Sequence, residues 1–335
     1  MAPCVANTVD VAPVVDEPCT KKQKTDRAGD DLMGTSRIYE YTSAANPQLP
    51  PIPVLVHPPS LHESGPSAVI PFDVSESLGF KYKATSPNLL AAFIRINPNE
   101  SVESQAVATS QAFYVIRGAG RSQFGFGDIE WAEGDMFVVP ATSAASTHTA
   151  TADSALYWVS DEPLMEFLGV SPNKNKFEPT VFRREQLLAE VERISHEPGV
   201  AHRNRMGVLL GNAATETTTK TLSHVLWSLL NTIPAGDNQR PHRHNSVALD
   251  LCVGRGGTAG DGKVYTLMGP ELGEDGWVKN PIKMEWAPGG VFITPPGWWH
   301  SHHNETGEPA WVLPVQDAGL LTHQQILDIR FAPSQ

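Results

Sequence analysis

Only three cysteines occur in 335 residues, Cys4, Cys19 and Cys252. Two lie in a polar N-terminal stretch and one in a strand-like run, so no disulfide framework is available and a reducing, cytoplasmic setting is expected. Long apolar runs are also missing. No stretch can cross a bilayer, and the opening residues MAPCVANTVD lack the basic-then-apolar pattern of a secretion leader. Positive charge is scarce: 25 Lys and Arg against 37 Asp and Glu leave a net charge of −12. An acidic surface repels nucleic acid and anionic membranes, so neither is expected as a main partner and a small-molecule substrate fits better. The cluster Lys21-Lys22-Gln23-Lys24 offers a weak nuclear address, with solvated charge as the plainer reading.

What the chain does have is punctuation, 27 glycines and 28 prolines, as many short strands require. Its length exceeds one ordinary core, and an all-β protein of two barrels follows. The expected boundaries are a disordered tail over 1–36, a first barrel over 37–168, a linker with one helix over 169–220 and a second barrel over 221–335. The segment NPQLPPIPVLVHPP should run extended across the first domain. Short apolar runs such as LAAFIRI and SALYWVS, and later SVALDLCVG and GGVFITPP, are bounded by turn residues.

The two series share a grammar. A strand ends in a Gly-rich turn (Gly118-Ala119-Gly120; Gly254-Arg255-Gly256-Gly257), and a tight turn then introduces a strand ending in proline. Glu133-Gly134-Asp135-Met136-Phe137-Val138-Val139-Pro140 matches Pro288-Gly289-Gly290-Val291-Phe292-Ile293-Thr294-Pro295, which is an internal repeat. Between the barrels, Leu187, Leu188, Val191 and Ile194 fall on one helical face ahead of Pro198, a packing helix.

The chemistry-bearing stretch is Pro241-His242-Arg243-His244. Histidines two apart on a strand point to one face and can share an ion. His300, in PPGWWHSHHN, follows the second "PG" turn, where a barrel can bring it opposite that pair. Imidazole suits iron, zinc, copper, nickel and manganese, and a facial set of three leaves positions open for substrate. His302 lies two residues beyond His300 and shares its face, while His303 faces away. His57, His62, His148, His196, His202, His224 and His323 lack ligand spacing and are read as structural or exposed.

Gly236 through His244, and Pro288-Gly289 through Pro295 to His300, resemble the two metal motifs of the cupin superfamily, over about residues 85–165 and 221–320. The resemblance implies two jelly-roll (double-stranded β-helix) barrels. Val247, Ala248 and Leu249 stand where that family usually has a glutamate ligand. Within it, the ending Trp299-His300-Ser301-His302-His303-Asn304 with Glu308-Pro309-Ala310-Trp311 is similar to gentisate and 1-hydroxy-2-naphthoate dioxygenases, bicupins that open aromatic rings with dioxygen at a three-histidine iron(II) site. It implies His242, His244 and His300 as metal ligands, His302 as a group that orients substrate or moves a proton, Asp317 near an acidic position, and a homo-oligomer.

The chain departs from that pattern twice. The metal normally sits in the N-terminal barrel, where Glu103-Ser104-Gln105-Ala106-Val107 offers no histidine pair, so the first barrel reads as metal-free. Asp250 occupies the place of an arginine that helps hold the substrate carboxylate, leaving Arg240, Arg243 or Arg255 as substitutes. Asp250 itself is a candidate ligand, base or partner of a ligand imidazole. Trp286, Trp298 and Trp299 are candidates for a pocket wall or for core packing. The leading expectation is an iron(II) dioxygenase acting on a hydroxylated aromatic or enol-type molecule. The alternatives are a redox-neutral lyase, isomerase or hydrolase using zinc, manganese or nickel, and a non-catalytic cupin.

Overall fold

The computed structural model describes residues 34–142, 144–200, 203, 205–253 and 262–333. Most of the expected tail, with Cys4, Cys19 and the lysine cluster, lies outside these residues, as do His202 and Arg255. The chain divides into two compact units, Met1–Gln48 and Leu49–Gln335. Described residues of the first contain one short helix, Tyr41–Ala44, whose N-terminal amides at Thr42 and Ser43 donate to the Glu40 carboxylate.

The second unit holds four antiparallel sheets in two pairs. The first pair is a six-stranded sheet in the order Thr180–Phe182, Met136–Pro140, Ser110–Arg117, Ser154–Ser160, Leu90–Ile96, Ala68–Pro71, facing a sheet of Ser101–Ser104, Ser146–Ala150, Ala119–Phe124 and Gly127–Ala132. The other pair repeats the plan. Its six strands are Val56–His57, Val291–Thr294, Ala248–Val253, Ala310–Gln316, Trp227–Ile233 and Met206–Leu210. Its five are Ile282–Glu285, Val264–Gly269, Trp299–Asn304, Asn238–His244 and Ile329–Phe331. No helix among the described residues is long and apolar enough to cross a membrane.

The central strands of the first six-stranded sheet are buried on both faces, which explains why LAAFIRI and SALYWVS are largely apolar and do not alternate with polar residues. One face of each six-stranded sheet meets the other in a shared core of Phe93, Tyr114, Met136 and Tyr157 against Leu230, Leu249, Leu251 and Leu313. The Tyr157 hydroxyl crosses this core to donate to the Leu249 carbonyl at 3.2 Å. The alternate residues of the first sheet, Ile94, Phe113, Phe137 and Trp158, point into the first barrel. That lumen is filled with stacked rings: Phe113 lies 4.8 Å from Phe137 and 5.9 Å from Trp158. Removing the ring in Phe113→Ala should cost about 3–5 kcal/mol. Because the core is common, both barrels should melt in one transition at a lower temperature; a biphasic melt by calorimetry would contradict the shared core.

The internal repeat is visible in the turns. Gly134 and Gly289 both have positive φ, 86° and 78°, conformations that a side chain disfavours. The Gly134 amide donates to the Val115 carbonyl at 2.9 Å and that of Gly289 to Cys252 at 2.8 Å. The stretch between the barrels is partly built into them, through Thr180–Phe182 in the first and Met206–Leu210 in the second. Helix Arg184–Ser195 buries Leu187 and Val191 as its periodicity predicts. One expectation is corrected. The proline-punctuated segment runs along the second barrel, with Val56 and His57 pairing with Phe292 and Val291. The exposed edge of Val291–Thr294 takes any extended chain as an added strand, and sequence cannot say which edge is open.

Candidate metal centre

His242 and His244 lie on the strand Asn238–His244, and His300 and His302 on its neighbour Trp299–Asn304. His242 is paired directly with His300 across the two strands, after an irregularity that shifts the register beyond Gln239. This register brings the two sequence motifs together. The candidate ligand atoms of His242, His244 and His300 all lie within 4.8 Å of one another. The ring centroids are 4.0 Å apart for His242–His300, 4.9 Å for His244–His300 and 5.5 Å for His242–His244.

Second contacts set the tautomers. His244 Nδ1 donates to the Ser246 carbonyl at 2.9 Å and His300 Nδ1 to the Trp298 carbonyl at 3.0 Å. Each ring therefore presents an unprotonated Nε2, the form a metal needs. Burial is the main reason that the imidazoles resist protonation: His244 is lowered to about 4, and His242 and His300 lie well below the ordinary value. Arg205 adds to the effect at His242. Three converging imidazoles, two of them with Nε2 free, are a donor set that fits a divalent metal.

The three rings border a cavity of about 260 Å³. His302 and Asp250 also line it, so both predicted groups reach the site. His302 Nδ1 hydrogen-bonds with Thr266 Oγ1 at 2.9 Å, which leaves Nε2 as its free nitrogen. Thr266 Oγ1 also accepts from Trp286 Nε1 at 2.8 Å. Asp250 accepts from Thr294 Oγ1 at 2.5 Å, but burial dominates and pushes its carboxyl up to about 7. At neutral pH the carboxyl therefore holds a proton for much of the time.

Asp250 has a consequence for stability. Its folded value exceeds that of an unfolded carboxyl, so folding favours the protonated form and is penalised as pH rises from about 4 through 7. The full penalty is on the order of 4 kcal/mol. In metal-free protein, Asp250→Asn is expected to flatten the pH dependence of the unfolding free energy over that window and to stabilise above it. Parallel denaturation curves of the two proteins across pH 4–8 would refute this assignment.

Other sequence candidates lie elsewhere. Asp317 accepts from Asn88 Nδ2 at 2.7 Å and from the Val247 amide at 3.1 Å, and it does not line the cavity. His303 hydrogen-bonds with Ser301 Oγ and Asn238 Oδ1 and stacks on Tyr265, away from the cavity as its parity requires. None of Trp286, Trp298 and Trp299 is among the described lining residues; Trp227 is. Arg240 stacks on Trp277 and Arg243 on Trp299, and neither lines the cavity. In the first barrel, the counterpart strands carry one histidine, His148, with its nitrogens hydrogen-bonded to Ser104 Oγ and Ser122 Oγ at 2.8 and 2.7 Å.

Sequence reasoning missed Arg205. It lines the cavity, its Nη2 meets His242 Nδ1, and its Nη1 donates to the Arg240 carbonyl at 3.2 Å. Burial lowers its guanidinium to about 9, which leaves it charged at neutral pH. Arg205 immediately precedes the strand Met206–Leu210, whose Gly207 and Leu209 line the cavity, as do the alternate residues Trp227, Leu229 and Asn231, and Val312, Pro314 and Gln316, of two neighbouring strands.

The arrangement of sheets is shared with known proteins. The salicylate 1,2-dioxygenase of Pseudaminobacter salicylatoxidans superposes with a TM-score of 0.66 at 15% identity, covering 90% of this chain and 95% of that one. The fold is that of a bicupin. An oxalate decarboxylase variant from Bacillus subtilis superposes less closely, with a TM-score of 0.51 at 15% identity over 78% of this chain and 76% of that one. In sequence, a 5-aminosalicylate 1,2-dioxygenase from Comamonas sp. is 30% identical over 86 residues, 26% of this chain. The chain spans 23% of that relative's length in the match. No protein-family model matches the chain.

Proposed function

We propose that this bicupin is a cytoplasmic dioxygenase that holds iron(II) on His242, His244 and His300 and cleaves a hydroxylated aromatic or enol-type carboxylate. The observation that carries the reading is the convergence of three neutral imidazoles on one cavity, in a fold shared with a salicylate dioxygenase. When bound, the iron would acidify a coordinated substrate hydroxyl and couple the substrate electronically to dioxygen.

The residues have separate tasks. Trp227, Leu229, Val312 and Pro314 supply the apolar walls against which a ring packs and from which water is excluded. Arg205 replaces the family's carboxylate clamp from another strand, and its charge offsets that of the incoming anion. Asp250 does not repel that anion while its own carboxyl is protonated. His302, anchored at Nδ1 by Thr266, turns Nε2 into the cavity, where it can hydrogen-bond the substrate and orient it.

A second reading, a redox-neutral lyase, isomerase or hydrolase on manganese, zinc or nickel, draws on the likeness to oxalate decarboxylase. Metal analysis of protein purified without chelator, joined to oxygen uptake with salicylate and gentisate, separates the two. Iron near one equivalent and oxygen consumption are expected. A different metal and no uptake with any hydroxylated aromatic acid would overturn the dioxygenase reading.

A further inference from the structure

One wall of the histidine cavity is thin. His244, His300, His302 and Asp250 are 3–5% exposed, whereas His242 is partly open to solvent. The side chain that covers it is Phe331, whose ring stacks on the His242 imidazole at 6.1 Å with 20° between the planes. Phe331 and Ile329 both line the cavity and belong to the last strand, Ile329–Phe331. Phe331 lies opposite His242 and Ile329 opposite His244, so both turn toward the ligand face while Arg330 turns outward. Yet the two are 53% and 41% exposed, which makes them the boundary between cavity and solvent.

This strand is held more lightly than the other walls. It has three residues, lies at the end of its sheet, and no described strand pairs with its outer edge. Its ends are fastened. The Asn245 side chain accepts from the Asp328 amide at 2.8 Å and donates to the Ile326 carbonyl at 2.8 Å, and at the other end the Ala332 amide donates to the Pro241 carbonyl at 2.9 Å. The middle carries a repulsion. Arg330 stands directly opposite Arg243, and like charges facing each other across two strands are destabilising. Asp328 holds Arg330 at 2.7 Å and Trp299 carries Arg243 at 5.0 Å, contacts that do not join the two strands. By contrast, the cavity's other edge strand, Met206–Leu210, pairs over five residues with Trp227–Ile233 and packs against helix Arg184–Ser195. An element with little buried area and exposed hydrogen bonds is the one that opens at least cost.

We propose that the strand Ile329–Phe331 is the gate of the metal centre: it peels from Asn238–His244 to admit ion and substrate, then lays Phe331 back over His242. The proposal rests on reading the three histidines as metal ligands. A reversible lock tests it. Arg243 and Arg330 sit midway between the hydrogen bonds at Asn245–Asp328 and Pro241–Ala332, a position where Cα atoms lie about 5.5 Å apart, within reach of a disulfide. The probe is cobalt(II), its absorbance followed by stopped flow in the metal-free full chain carrying Arg243→Cys and Arg330→Cys. With the link confirmed by peptide mapping, the oxidised protein should take up and release cobalt about tenfold more slowly than the same protein after reduction, at unchanged equilibrium affinity. Arg330→Glu, which sets opposite charges face to face, should slow both rates without a covalent link. In the unaltered chain without metal, amides of residues 329–331 should exchange with deuterium about tenfold faster than those of Trp227–Ile233.

Equal cobalt rates in the locked and reduced proteins overturn the gate. So does a lock that changes affinity and not the rates, or protection at 329–331 that matches Trp227–Ile233. Cobalt that never binds, beside rapid exchange at 329–331, overturns the metal reading and leaves the moving strand standing. The exchange is read in the unaltered chain, so poor folding of a variant does not weaken the test.

Discussion

His300→Ala is expected to strip the bound metal and to lower kcat/KM by about 1,000-fold or more. The ring is 4.0 Å from His242 and 4.9 Å from His244 by centroids, so its loss leaves two of the three converging donors, both on one strand. Metal polarisation supplies several kcal/mol of charge stabilisation, and each 1.4 kcal/mol counts tenfold in rate. The fold should survive, since removing a buried neutral imidazole gives up little beyond one hydrogen bond to Trp298. Two companions sharpen the result. His302→Ala should keep the metal and lose turnover, whereas His303→Ala, outside the cavity, should keep both. Full metal stoichiometry in His300→Ala, measured by elemental analysis beside an unchanged melting curve, would remove His300 from the ligand set.

The second large effect is expected from Arg205→Ala. Truncating one partner of a buried, hydrogen-bonded ion pair costs about 2–5 kcal/mol, so KM for a carboxylated substrate should rise about 100-fold. The metal should remain, because removing a cation that borders His242 relieves repulsion of a bound divalent ion. An analogue that keeps the hydroxyl but lacks the carboxylate should be nearly indifferent to the change. If both analogues suffer alike, or the metal is lost, Arg205 supports the His242 ring and does not recognise substrate.

These two residues mark how far the sequence can be read. His242-x-His244 is a local pattern: strand geometry alone puts both rings on one face, and the same parity puts His300 with His302 and turns His303 away. The repeat of tight turn, strand and proline was equally local, and Gly134 and Gly289 share one backbone conformation because that turn needs it. Arg205 has no such signature. It reaches the site because Met206–Leu210 pairs with Trp227–Ile233 at the edge of the sheet, a contact made across a register that no spacing encodes. The pairing of Val56–His57 with Val291 and Phe292, which puts the proline-punctuated segment on the second barrel and not the first, is likewise a contact between distant segments.

What the sequence by itself determined is thus the all-β class, the duplicated barrel and the identity of three convergent imidazoles. These follow from periodicities of a few residues, where steric rules act on neighbours. Only the tertiary structure decided which groups surround those imidazoles. Pairing between distant strands put Arg205, Trp227 and Asn231 into the cavity, and burial changed the chemistry of what it enclosed. The same burial that strips protons from the histidines pushes Asp250 up to about 7, and no sequence position carries its own dielectric.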